Sequence, residues 1–129
     1  YTPSGARVNF RLELHGRDSE LNNLYSTKLY TSPRNGGEYV GISGVLVFTA
    51  NYDNIYPSMI AYDLCCPNEN NPMVRISPTK DRTAVCERCK SVYDLTNAGV
   101  VLSGPSKKRL WNYKVDREGA TMGFFRIHN

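Results

Sequence analysis

Short apolar runs with a period of two recur along this chain, and residues that favour turns separate them. The first run places four apolar side chains at every second position: Val8, Phe10, Leu12 and Leu14. This alternation is typical of a strand with one buried face. Residues 44–49 are instead almost continuously apolar, which predicts a strand buried on both faces. The patterning favours an all-β fold.

The rest of the chain gives the same reading. Further strands are predicted at residues 58–63, 73–76, 84–86, 92–95, 100–102, 110–115 and 122–127, with turns at 51–54 and 116–119. Between residues 18 and 30 the leucines Leu21, Leu24 and Leu29 are too sparse for an amphipathic helix. We expect a loop or a short 3₁₀ helix there, with its leucines packed on the sheet. Many short strands with closely spaced turns predict an antiparallel sandwich or barrel.

Size and charge narrow the possible functions. The 129 residues, 40% of them hydrophobic and 22% charged, predict one domain with a real core. A formal charge of +4 from scattered residues does not indicate nucleic-acid binding. No apolar run approaches the roughly 20 residues that span a bilayer, so no transmembrane segment is expected within the chain. The chain begins at Tyr1, and we expect a processed or truncated start, with any signal or lipid anchor upstream. A monomer is expected.

Four cysteines lie within one quarter of the chain: Cys65, Cys66, Cys86 and Cys89. Cys86 and Cys89 form a CxxC pair directly after a predicted strand, a spacing that lets a tight turn aim both sulfurs at one metal. The basic neighbours Arg88 and Lys90 are expected to lower the thiol pKa values. Cys65 and Cys66 are adjacent, and adjacent side chains diverge in a strand. Both can therefore reach one metal only from a loop or turn.

The cysteine pattern alone leaves a metal site, a disulfide and buried thiols open. The two histidines, His15 and His128, stand near the chain ends, far in sequence from the cysteines. We interpret them as polar surface residues rather than ligands. The chain contains no catalytic motif such as GxSxG, HExxH or a P-loop. We therefore predict a non-enzymatic protein.

The order of motifs around the cysteines resembles a Rieske domain, in which a Cys-x-His loop and a Cys-x-x-His loop hold a 2Fe–2S cluster. The similarity covers residues 44–48, 61–68, 86–95, 99–106 and 110–115, and its most specific part is Ser-x-Tyr-Asp-Leu followed by Gly and by Gly-Pro-Ser. It is strongest to a bacterial cell-envelope group. The resemblance implies a single Rieske-like domain over 1–129, with a small cysteine-loop, zinc-ribbon-like subdomain at 64–106.

The resemblance also assigns residues. Cys66 and Cys86 match the two cysteine ligands, whereas Asn68 and Cys89 stand where the family has its two histidines. Four further positions match groups that surround the cluster. They are the hydroxyl residues Ser91 and Tyr93, and Gly104 and Pro105 of the loop that covers it.

The loss of both histidines changes the expected chemistry, because the neutral imidazoles give Rieske centres their high potential and the Asn68 amide is a poor iron ligand. Three outcomes follow: the four cysteines bind zinc, they hold a four-thiolate 2Fe–2S cluster of lower potential, or a disulfide or free thiols replace the metal. We favour a degenerate, structural site over an electron carrier with altered ligation. The resemblance further implies an extracytoplasmic location, in the periplasm or as an outer-membrane lipoprotein. A redox or envelope protein would be the partner.

Overall fold

The computed structural model describes residues 1–52, 56–119 and 123–129, and this part of the chain contains eleven strands and two short 3₁₀ helices. The helices are Pro3–Gly5 and Ser19–Asn22. The strands are β1 Val8–Glu13, β2 Thr27–Tyr30, β3 Tyr39–Val40, β4 Val45–Tyr52, β5 Pro57–Asp63, β6 Ser77–Pro78, β7 Thr83–Val85, β8 Val92–Asp94, β9 Val100–Ser103, β10 Asn112–Arg117 and β11 Phe124–His128. The predicted all-β fold is confirmed.

The strands form two antiparallel sheets. The larger sheet has the order β2-β4-β5-β10-β11-β1-β3 and curls into a nearly closed barrel. The smaller sheet has the order β6-β7-β8-β9 and consists of consecutive hairpins. Two separate groups of buried side chains fill the interior of the molecule.

Strand β4 separates the two groups. Val45 and Val47 pack with the first group, which includes Phe10, Leu12 and Ile127 of the barrel. The alternate residues of β4, Leu46 and Phe48, pack instead with the second group beside the small sheet. This second group also contains Tyr93, Cys66 and Cys86. The strand is thus buried on both faces, as its continuous apolar run predicts.

The segment before β4 differs in part from the expectation. The 3₁₀ helix Ser19–Asn22 is present, and Leu21 is buried. However, Leu24 and Leu29 are 48% and 45% exposed, so the prediction that they pack on the sheet was wrong. Residues 27–30 form β2 because they pair with β4, a tertiary contact that local patterning does not reveal.

Three other predicted elements also differ from the structure. In the predicted strand 73–76, the structure has a turn in which the N–H of Val74 donates to the carbonyl of Asn71, and Arg75 forms only an isolated bridge with Cys65. The predicted turn 116–119 begins too early, because Asp116 and Arg117 still pair with β11. Strand β4 continues through residue 52 of the predicted turn 51–54. Residues 53 and 54 of that turn, and residue 122 of the last predicted strand, lie outside the described residues.

Within the described residues, no helix is long and apolar enough to cross a bilayer.

Candidate metal centre

The first cysteine loop leaves the end of β5 and returns to the small sheet. The N–H of Cys66 donates to the carbonyl of Val74, and the N–H of Ile76 donates to the carbonyl of Leu64. These bonds make residues 64–76 a hairpin. At its tip, the carbonyl of Cys66 accepts a hydrogen bond from the N–H of Asn70, at 3.0 Å. The loop therefore turns directly after Cys66.

The second cysteine loop is the tight connection between β7 and β8. The N–H of Cys86 donates to the carbonyl of Ser91, at 3.0 Å. The carbonyl of Cys86 accepts a hydrogen bond from the N–H of Lys90, at 2.8 Å. Cys86 and Cys89 thus lie at two corners of one turn, as the CxxC spacing predicts.

The two loops bring three sulfurs together. The Sγ atoms of Cys66, Cys86 and Cys89 all lie within 4.8 Å of one another, and those of Cys66 and Cys89 are 3.7 Å apart. Cys66 and Cys86 are fully buried, whereas Cys89 is partly exposed. Two sulfurs on one tetrahedral zinc ion lie about 3.8 Å apart, since each Zn–S bond is about 2.3 Å. Three of the four cysteines are therefore close enough to bind one metal ion.

The fourth cysteine, Cys65, is not a member of this group. Its Sγ lies 3.4 Å from the carbonyl oxygen of Cys66 and 3.3 Å from that of Asn71. Cys65 lines a cavity of about 280 Å³, together with Asp63 and Trp111. Burial and the nearby Asp63 carboxylate raise the pKa of the Cys65 thiol to about 12. Because Cys65 still follows the extended backbone of β5, its side chain points away from that of Cys66.

Hydroxyl groups contact two of the three clustered sulfurs. The Oη of Tyr93 lies 3.3 Å from the Sγ of Cys66, and the Oγ of Ser91 lies 3.2 Å from the Sγ of Cys89. The Ser91 hydroxyl also accepts a hydrogen bond from the N–H of Ser106, at 3.0 Å. Ser91 thereby connects the second loop to the turn that follows β9.

That turn passes very close to Ser91. Gly104 has a φ of +93°, and a Cβ built on it would lie 2.4 Å from the Cα of Ser91. Only glycine fits without a shift of the backbone. Pro105 and Pro67 border a cavity of about 320 Å³ between the turn and the first loop.

The thiols differ in acidity. Burial would raise the pKa of Cys89, but hydrogen bonds from the hydroxyl and N–H of Ser91 outweigh it and hold that pKa below its ordinary value. These bonds, rather than the expected basic neighbours, are the largest lowering influence. Burial raises the pKa of Cys66 to about 11, against a lowering contribution from the Tyr93 hydroxyl. Cys89 is thus more readily deprotonated than Cys66.

The side chain of Asn68, which the resemblance matches to a histidine ligand, lies away from the clustered sulfurs. Asn68 is exposed, and its Nδ2 lies 3.5 Å from the Oε2 of Glu69. His128 contacts Asp116 on the barrel, and His15 lies beside Gly123. Both histidines therefore stand apart from the cysteine cluster.

No protein-family model matches the chain, and no curated protein matches its sequence. The fold and site together define a small all-β protein that has three clustered cysteines between its two sheets.

Proposed function

We propose that this is a non-enzymatic protein in which Cys66, Cys86 and Cys89 hold one structural zinc ion. The observation that carries the proposal is the convergence of three sulfurs from two loops, with 3.7 Å between Cys66 and Cys89. This spacing suits two ligands of one tetrahedral ion. The ion would fasten the first loop, which continues from β5 of the barrel, to the second loop, which belongs to the small sheet.

The surroundings of the sulfurs support a structural role. Cys66 and Cys86 belong to the buried group beside β4, so the ion would bind at the edge of a hydrophobic core and hold together the loops that cover it. Zinc bound in this way stabilises a small fold directly, with apparent binding free energies on the order of 10 kcal/mol.

We also propose that the domain is Rieske-like with a degenerate cluster site. Support comes from the sequence resemblance, from two hairpin loops that each supply a matched cysteine, and from Gly104 packed on the second loop. The spacing of the sulfurs favours a single ion over a 2Fe–2S cluster. Such a cluster divides its ligands between two irons. Cys66 and Cys89, which match ligands of different irons, would then lie farther apart than 3.7 Å.

An extracytoplasmic location, with an envelope protein as partner, is part of the same proposal. It is supported by the sequence resemblance alone. A disulfide is the main alternative in that setting, and the four cysteines are free here.

The test is the metal content and colour of the natively purified chain. We expect about one zinc per chain and no visible absorption in the wild-type protein and in Cys65→Ser, whose sulfur lies outside the cluster. Cys66→Ser and Cys89→Ser should lose most of the zinc. A brown protein whose colour disappears in Cys89→Ser would establish the iron–sulfur alternative. Zinc-free protein with two thiols missing from a denatured thiol count would establish the disulfide.

A further inference from the structure

The two cysteine loops repeat one five-residue turn. In residues 66–70 the N–H of Asn70 donates to the carbonyl of Cys66, and Asn70 has a φ of 52°. In residues 86–90 the N–H of Lys90 donates to the carbonyl of Cys86, and Lys90 has a φ of 66°. Positive φ is uncommon outside glycine, so its recurrence at the fifth position of both turns marks a shared backbone.

The fourth position of each turn holds a residue whose side chain can bind a metal. In the second turn it is Cys89, whose sulfur enters the cluster. In the first turn it is Glu69. Since side chains at equivalent positions of similar turns leave the backbone in similar directions, we expect the Glu69 side chain to leave its turn on the side of the Cys66 sulfur, as that of Cys89 leaves on the side of Cys86.

The contacts of Glu69 agree with this direction. Its side chain is only 20% exposed, and its Oε1 lies 4.0 Å from an Nη of Arg88, which belongs to the second turn. The backbone N–H groups of Asn68 and Glu69 contact the sulfur of Cys66. Glu69 therefore already extends across the space between the two loops.

We propose that a carboxylate oxygen of Glu69 is the fourth ligand of the metal ion. This inference depends on the proposed zinc site. Three thiolates leave one position of a tetrahedral zinc ion open, and a carboxylate oxygen is an ordinary zinc ligand at about 2.0–2.2 Å. Cys65 cannot take this position without reversing the direction of its side chain.

Completion of the site requires the Glu69 side chain to move. The Glu69 carboxylate is not within 4.8 Å of all three sulfurs, so it must turn away from Arg88 toward them. Arg88 is 64% exposed, and exposed ion pairs of this kind are weak. A zinc ion with three thiolates and the Glu69 carboxylate forms a site of net negative charge, and the positive charge of Arg88 remains nearby.

The experiment is a titration of the 129-residue chain, reduced and stripped of metal, with Co²⁺, and absorption spectroscopy follows the binding. We expect tetrahedral cobalt bands in the wild-type protein. In Glu69→Ala, the affinity for Co²⁺ should fall by at least about tenfold. Loss of a residue that only hydrogen-bonds to a metal ligand already lowers metal affinity by this factor. Glu69→Cys should add a fourth thiolate and raise the sulfur-to-cobalt absorption by about one third.

A matched control separates the effect from a general one. Glu87→Ala removes an exposed glutamate at the second position of the other turn. It should bind as the wild type does. Cysteine-dependent binding that is unchanged in Glu69→Ala would overturn this inference alone and make water the fourth ligand. Failure of the wild-type chain to bind Co²⁺ through its cysteines would overturn the zinc site as well.

Discussion

The Oη of Tyr93 lies 3.3 Å from the Sγ of Cys66, and both groups are fully buried. A hydroxyl in this position can donate to the thiolate and stabilise it when a metal is bound. The side chain also fills space among the residues beside β4. Tyr93 therefore affects both the packing and the sulfur.

The variant Tyr93→Phe separates these effects. We expect a loss of about 1 kcal/mol in the free energy of unfolding, and a metal affinity lower by a factor on the order of 10 to 100. Tyr62→Phe is the matched control, because the Tyr62 hydroxyl is also buried but donates to the carbonyl of Leu95, at 2.7 Å. It should lose similar stability and keep its metal affinity. Equal losses of affinity, measured by competition with a chelator, would contradict the assigned role.

Thiol reactivity should follow the order of the pKa values. In the reduced, metal-stripped protein, iodoacetamide should modify Cys89 first, since its pKa is lowered and its side chain is partly exposed. Cys66 and Cys65, with pKa values of about 11 and 12, should react slowly until the pH approaches those values. Peptide mapping by mass spectrometry at several times and pH values measures this order.

Ser91→Ala should move the reactivity of Cys89 to higher pH, because the hydroxyl and its hydrogen bond to the thiolate are lost. Ser103→Ala, which changes an exposed serine at the end of β9, should leave the profile unchanged. An unchanged profile in Ser91→Ala, or modification of Cys65 as fast as Cys89, would count against the described electrostatics.

Gly104→Ala should destabilise the fold through a steric collision. The new Cβ would lie 2.4 Å from the Cα of Ser91. Gly37→Ala is the control. Gly37 has a similar φ of +81°, but a Cβ built on it would meet no heavy atom within 4 Å. We expect about 1 kcal/mol of backbone strain in the control, and about 1–3 kcal/mol more in Gly104→Ala. Urea denaturation measures both, and equal losses would show that Gly104 matters only for its φ.

A buried carboxylate outside the cysteine cluster makes stability depend on pH. Asp18 is fully buried and accepts hydrogen bonds from Arg34, at 2.6 and 3.1 Å, and from the hydroxyl of Tyr30, at 2.7 Å. Burial would raise the pKa of Asp18, but the bonds from Arg34, the N–H of Glu13 and Tyr30 together lower it. The ionised form thus stabilises the folded state.

Asp18→Asn should therefore cost about 3–5 kcal/mol at neutral pH. The ionised Asp18 carboxylate stabilises the folded state fully above the pKa of the unfolded chain, about 3.9. This stabilisation is lost as the pH falls through the lower pKa that Asp18 has in the folded state. The difference between wild type and variant should shrink in this acidic range. Asp81→Asn, at an exposed turn between β6 and β7, should change little at any pH. A pH-independent difference in urea unfolding would contradict the prediction.

The sequence predicts the central strands well because their burial is periodic. The barrel residues of β1 and the two-sided burial of β4 both follow from apolar spacing. By contrast, β2 contains the exposed Leu29 and becomes a strand only by pairing with β4. The two-residue strand β3 is too short for any periodicity to appear.

The candidate site is predictable to the level of residue type. The CxxC pair follows from spacing, and the resemblance matches Cys66 to a ligand, whereas the separation of Cys65 depends on where β5 ends. Glu69 is missed because the two turns share backbone geometry rather than sequence. Asn70 was the available signal, since asparagine is enriched at positive φ and stands four residues after Cys66, as Lys90 stands after Cys86.

The alternation along β4 gives the protein two interiors that share no side chains. A substitution at Val47 alters packing inside the barrel, whereas one at the neighbouring Leu46 alters packing beside the cysteine loops. The cysteines and their neighbours can therefore be substituted one by one while the barrel keeps its packing. For an engineer, the protein is a scaffold on which new metal centres can be installed without redesign of the barrel.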